Sequence, residues 1–255
     1  MIATPLKKIL ITQARPESEK SPYFELERKF NLKLEFHAFI FLEAISGKEF
    51  RKQKIDILNY TGVIFTSRNA IDHFFRTCEE LKVNVSPDTK YFCITEAVAL
   101  YLQKFILYRK RKVFFGADGT NKSLFEAINK HKNNEKFIYV CSENQQDNDI
   151  CGWLKTNNCE FVLGFMYRTQ SSNVKEILTN NSYDAICFFT PSGVKSLFEN
   201  VPKFKQNGTV IGAFGSNTIK AVEKAGLSLD ITAPEPQTPS MVSALEKYIV
   251  ASKKK

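Results

Sequence analysis

The stretch VIFTSRNAI at 63–71 decides the fold, because CFFTPSGVK at 187–195 repeats its plan at an offset of 124. In both, an apolar, β-prone run ends in small hydroxyl residues, and a helical pattern starts there. A second pair, GTNKSLFEAI (119–128) and QTPSMVSALE (237–246), stands at an offset of 118. Between the pairs, YFCITEAVALYL (91–102) shares a strand–turn–helix layout with VIGAFGSNTIKAV (210–222). Three successive βα units thus occur twice in the same order, which predicts two similar domains.

Outward from these units, strand patterns fall at 8–12, 34–40, 62–66, 91–94, 113–115, 137–141, 161–167, 185–189, 210–213 and 229–231. Segments with apolar residues three and four apart lie between them, such as Ala70, Ile71, Phe74 and Phe75, or Ile219 and Val222. Such alternation implies an α/β fold with mainly parallel sheets flanked by helices. Ser21-Pro22, Ser67, Thr120 and Ser216 mark helix starts. The first 36 residues add one strand and one helix that have no counterpart ahead of the second half. The expected division is therefore 1–36 plus 172–255 as one discontinuous domain and 40–166 as an inserted one. Linkers near 37–39 and 167–171 would form a two-stranded connection beside a cleft able to open and close.

The counts limit what such a chain does. Across 255 residues, 36 Lys+Arg against 27 Asp+Glu leave a net charge of +9. Hydrophobic residues at 43% and charged ones at 25% exclude a disordered chain. No stretch approaches the roughly 20 apolar residues of a membrane span, and MIATPLKKILITQARP lacks a signal-peptide pattern, so a cytoplasmic protein is expected. The cysteines at 78, 93, 141, 151, 159 and 187 form no CxxC and read as buried, reduced thiols. His37, His73 and His131 lack ligand spacing, so no metal is expected. The basic run at 109–112 and the SKKK tail read as solvated, yet the positive balance favours an anionic partner. Nothing beyond charge indicates nucleic acid, and with no heptad or apolar helix face a monomer is the default.

The candidate site residues stand where strands hand over to helices: Thr66, Ser67 and Arg68; Thr190, Ser192 and Gly193; and Gly215, Ser216, Asn217 and Thr218. Ligands of open parallel sheets sit beyond the carboxyl ends of the strands, and helix N-termini there suit carboxylates and phosphates. Taken singly, each hydroxyl is explained by helix capping; several such turns facing one cleft favour binding. No catalytic triad, paired-carboxylate signature or phosphate-binding glycine loop is present, and GADG after Val113 is too short for the last. A site rich in N–H and hydroxyl donors but poor in nucleophiles suits folding an anionic substrate rather than attacking it.

The chain resembles the uroporphyrinogen-III synthase family over nearly its whole length. The resemblance rests on KILITQARP, VIFTSRNAIDHFF, MYRT (166–169), FFTPSGVKSLF (188–198) and the segment from FGSNTIKAVEKAGL to SMVSAL (214–245), in that order. It implies a cofactor-free lyase acting on hydroxymethylbilane, a linear tetrapyrrole with eight carboxylates. Loss of the terminal hydroxyl as water gives an azafulvene. Ring D then attacks through its substituted carbon, and rearrangement of the spiro intermediate closes the ring with ring D inverted. Tyr167 matches the family's crossover tyrosine, implied to assist departure of the hydroxyl. Backbone N–H groups at Ser67, Ser192, Gly193 and Thr218 would take carboxylates, while rim lysines steer the polyanion. Val98 stands where the family has threonine, and Asp147 and Asp149 stand where it often carries a basic residue. The reading from another class is a two-domain protein that binds an anionic small molecule without chemistry.

Overall fold

A computed structural model describes residues 6–145 and 148–253. Along the chain the strands are β1 (Lys8–Ile11), β2 (Lys33–Phe36), β3 (Ile40–Ala44), β4 (Gly62–Phe65), β5 (Lys90–Cys93) and β6 (Val113–Phe115). They continue with β7 (Phe137–Ser142), β8 (Phe161–Ser171), β9 (Ala185–Phe188), β10 (Val210–Phe214) and β11 (Ile231–Ala233). The order β11-β10-β9-β1-β2 makes one sheet and β3-β8-β7-β4-β5-β6 the other. Pairing is parallel from β11 through to β2, and from β8 through to β6. The α/β class expected from the alternation is the observed one.

The chain divides into two compact units, Met1–Phe41 with Gln170–Lys255, and Leu42–Thr169. It passes between them twice, within β3 and within β8. Ile45 N–H donates to Met166 O (3.0 Å) and Ser172 N–H to Phe39 O (2.9 Å), which sets these two neighbours antiparallel.

In the first unit, strand residues alternate between the two faces of the sheet. Ile9, Ile11, Cys187 and Val210 pack on one side with Leu245 and Ile249 of the helix Met241–Lys253. Leu10, Ile186, Phe188 and Ile211 pack on the other with Leu197 and Val222. Burial on both faces explains why these strands read as continuous apolar runs rather than alternating ones. The second unit repeats the arrangement. Val63, Phe65, Val140 and Met166 meet Ile71 and Phe74 on one face, while Ile64, Phe92 and Tyr139 meet Leu124 and Leu154 on the other. All six cysteines are buried within these cores, and none is in a disulfide.

The edge strand of the first unit holds Glu35, on which Lys33, Tyr183 and Lys8 converge. Partial burial raises the Glu35 carboxyl, but hydrogen bonds from those three groups outweigh it and bring the pKa down to about 2. A carboxyl depressed on folding stabilises the fold above its unfolded value, and that contribution fades as pH falls through the folded value. Between about pH 5 and pH 2, the Glu35→Gln variant should therefore lose less melting temperature than the parent, as circular dichroism would record. Parallel curves would dissociate Glu35 from acid stability.

Three sequence readings are corrected. The 34–40 run is not one strand, since β2 ends at Phe36 and β3 starts at Ile40 in the other sheet. The terminal strand lies at Ile231–Ala233 rather than 229–231. The echo is also shifted: β4 and β9 end at Phe65 and Phe188, an offset of 123. The helix starts Thr120 and Ser240 stand 120 apart. Letter matching aligned similar residues, whereas the fold aligns capping positions.

Candidate active site

Four strand-end turns of the two units are closed by a side-chain cap that consumes part of the hydrogen-bonding capacity of its residues. Ser67 Oγ accepts from Ala70 N–H (3.1 Å) at the start of the helix Arg68–Leu81. In the other unit Thr190 Oγ1 accepts from Gly193 N–H (3.0 Å) at the start of the helix Pro191–Asn200. Thr95 and Thr120 cap the helices Glu96–Tyr101 and Asn121–Asn129 in the same way. Ser21 precedes the helix Pro22–Phe30 but its side chain makes no cap bond, and the cap ahead of Ser216–Lys224 is Gly215, not Ser216. Gly215 holds φ 86° and ψ 145°, a region nearly closed to other residues, so glycine here is required by backbone shape.

Two of the expected N–H donors are already bonded within their turns. Gly193 N–H is held by Thr190 Oγ1, and Thr218 N–H donates to Gly215 O (3.0 Å), so neither is available to a carboxylate. First-turn N–H groups have no intrahelical acceptor, which leaves Arg68 and Asn69 in one unit and Ser192, Ser216 and Asn217 in the other as donors facing outward. Thr218 is 2% exposed and Val98 8%, each the third residue after its helix cap. Valine at that place therefore changes a core position and removes no exposed ligand group. Asp149 is exposed, while Asp147 lies outside the described residues.

In the second unit Tyr167 comes together with Ser67. The β7–β8 pairing shifts register after Cys141, so Cys141 faces Phe165 while Ser142 faces Tyr167. The extra residue lets two successive side chains, Met166 and Tyr167, enter the same core cluster. The Tyr167 ring then stacks on His73 with centroids 4.8 Å apart and planes 16° apart. Its hydroxyl meets the Ser67 side chain at the carboxyl end of β4. Burial pushes the phenol up, opposed by the hydrogen bond from Ser67, so it stays protonated at neutral pH. His73 is pushed down by burial and then by the Arg76 charge, so it faces the tyrosine as neutral imidazole. Tyr167 is only 6% exposed, and Ser67 beside it is half-buried.

Ser67 Oγ accepts from Ala70 N–H and lies beside the Tyr167 hydroxyl. Thr66 bonds the Tyr139 hydroxyl, which also accepts from Asn148 Nδ2 (3.1 Å), and so supports the floor of this turn. Arg68 turns aside, its guanidinium 5.5 Å from the centre of the Tyr101 ring.

The first unit carries a cavity of about 550 Å³ at the carboxyl ends of its strands. Gln13, Tyr23, Phe189, Thr190, Phe214 and Ser240 line it, and the Phe189 and Phe214 rings stack at 6.1 Å. Thr190 is the predicted residue in this wall; Ser192, Gly193, Gly215, Ser216, Asn217 and Thr218 lie outside it. Gln13, Tyr23 and the two phenylalanines carry no signal in the sequence that marks them as lining a cavity.

Among the described residues, no helix is long and apolar enough to cross a membrane. No curated protein sequence gives a significant match. The fold is similar to the crystal structure of a mutant uroporphyrinogen III synthase from the extremely thermophilic bacterium Thermus thermophilus, at 16% identity and a TM-score of 0.61, covering 98% of this chain and 100% of that one. It is likewise similar to uroporphyrinogen-III synthetase from Helicobacter pylori, at 15% identity and a TM-score of 0.60, covering 96% of this chain and 100% of that one. At such identities the likeness speaks for the fold. Residues 36–243 match the profile of the family described as uroporphyrinogen-III synthase HemD, and the chain belongs to that family.

Proposed function

We propose that the protein is a uroporphyrinogen-III synthase that cyclises hydroxymethylbilane with inversion of ring D and loss of water. The observation that carries this reading is the family match over residues 36–243, together with a buried Tyr167 whose hydroxyl lies beside Ser67 at the carboxyl end of β4. In this mechanism the Tyr167 O–H donates a hydrogen bond to the departing terminal hydroxyl; as the C–O bond breaks the pyrrole nitrogen of that ring gives up its proton, so that the hydroxyl leaves as water and the azafulvene forms. Proton donation from a buried phenol is weak, so its role is a directed hydrogen bond that stabilises charge growing on the leaving oxygen.

The remaining work is conformational. Closure without inversion is the easier route in free solution, so the protein must hold the chain where ring D attacks through its substituted carbon. Positioning of this kind supplies several kcal/mol, up to ~10 in good cases. The open first-turn N–H groups of Arg68, Ser192, Ser216 and Asn217 are assigned to acetate and propionate carboxylates, and the net charge of +9 draws the polyanion in. Thr66, Gly193, Gly215 and Thr218 shape these turns without donating. The monomeric state and a cytoplasmic location belong to the same proposal.

The test is direct. Freshly prepared hydroxymethylbilane is mixed with the protein and the uroporphyrinogen isomers are separated after oxidation. The type III isomer is expected to dominate; type I alone, at the rate seen without protein, would overturn the proposal and leave a binding protein.

A further inference from the structure

We propose that a second cavity, at the amino end of the sheet in the Leu42–Thr169 unit, binds a small amphipathic anion: a flat aromatic or short acyl body bearing one carboxylate or sulfonate. The cavity measures about 570 Å³ and lies beside Thr89 and Tyr91, where β5 begins. The Ser67 and Thr95 turns stand at the opposite, carboxyl end of the same strands. It is therefore separate from the candidate active site and does not depend on the cyclase reading.

Its walls suit an apolar body. Phe75 and Phe105 stack with centroids 4.6 Å apart and planes 4° apart, and Phe75 approaches Tyr91 at 6.4 Å. Val85 completes the lining, and Leu107 is 78% exposed at its edge, a large apolar side chain left in water. Such an exposed residue beside a concave aromatic wall marks a surface that gains by being covered. The volume lies within the roughly 300–1,000 Å³ of small-molecule sites.

The rim decides the charge of the ligand. Here falls the basic run at 109–112, which the proposed reaction does not use, with Arg109 and Lys112 both in the cavity wall. The carboxylates nearby are Glu79, also in the wall, and Asp88, which accepts from Lys112 Nζ at 2.9 Å. Lys112 is thereby occupied, while Arg109 forms no salt bridge among the described residues. The wall holds two cations, Arg109 and Lys112, and one carboxylate, Glu79; with Lys112 paired to Asp88, Arg109 is the cation left for a ligand, and its planar guanidinium fits a carboxylate or sulfonate in a bidentate manner.

The test titrates the full-length protein with 1-anilinonaphthalene-8-sulfonate, read by fluorescence, with decanoate as competitor. One saturable site per chain is expected, displaced by decanoate. Arg109→Glu should weaken it by about 10-fold with an unchanged melting temperature and unchanged isomer output. Val85→Trp, which fills the cavity, should abolish it; if that variant misfolds, the Arg109→Glu titration still decides. Probe affinity unaltered in Arg109→Glu overturns the proposal. So does co-sedimentation with phosphatidylserine vesicles in place of saturable probe binding, which would make the run a membrane-surface patch.

Discussion

Tyr167→Phe is expected to lower kcat by about 10–100-fold while KM moves little, because a single oriented donor to the leaving oxygen is lost and substrate contacts remain. The size follows from the buried setting. The phenol is held protonated by burial, so it contributes a hydrogen bond rather than a full proton, and the loss sits at the lower end for such groups. Stability should fall by only about 1 kcal/mol, one hydrogen bond with Ser67, since the ring keeps its stacking on His73. Ser67→Ala separates orientation from donation. It keeps the phenol, releases its direction and removes a helix cap, so kcat should fall several-fold and stability by about 1 kcal/mol. Steady-state kinetics with isomer separation distinguishes the cases. A Tyr167→Phe enzyme with undiminished turnover would remove the hydroxyl from the mechanism.

The legibility of this site in the sequence was uneven for a physical reason. Core strands such as β4 and β9 announce themselves because burial on both faces demands unbroken apolar runs. Capping residues announce themselves because a strand-to-helix turn needs a short acceptor. The edge strand β3 left no signal: of its five residues none is fully buried, and hydrophobic patterning reports burial, not hydrogen bonding. The same blindness displaced the echo register, for residue similarity does not count capping geometry. Tyr167 was found through family resemblance, since nothing in FMYRT by itself reveals that a bulge after Cys141 turns consecutive side chains into one core. Gln13, Phe189 and Phe214 required the three-dimensional meeting of β1, β9 and β10. Gly193 N–H and Thr218 N–H are taken up inside their own turns, which the residue types at a helix start do not reveal.

Arg76 is the residue that sequence patterning hid most completely, and its replacement carries the largest expected stability loss. On the helix Arg68–Leu81 a charged side chain reads as part of the solvated face. In the fold it points inward: Nη2 donates to Ile45 O (2.8 Å) and Met166 O (3.0 Å), and Nη1 pairs with Glu80. These two carbonyls belong to the antiparallel crossing segments, at Ile45, which is 1% exposed, and Met166, which is 0% exposed. Arg76→Met keeps the aliphatic stem but strips both oxygens of a charged donor. Met166 O retains its bond from Ile45 N–H, so its loss is partial, whereas Ile45 O loses the guanidinium outright. Glu80 keeps its bond from Gly47 N–H and is 40% exposed, so the broken ion pair adds little. The sum is about 2–3 kcal/mol, or roughly 5–10 °C in melting temperature. Because Met166 immediately precedes Tyr167, loosening it should also misplace the phenol, so kcat should fall even at temperatures where the variant stays folded. Differential scanning calorimetry with activity measured well below the transition tests both limbs. A melting temperature within about 1–2 °C of the parent would show that the carbonyls find other donors. An unchanged kcat in a destabilised variant would uncouple the bulge from the chemistry.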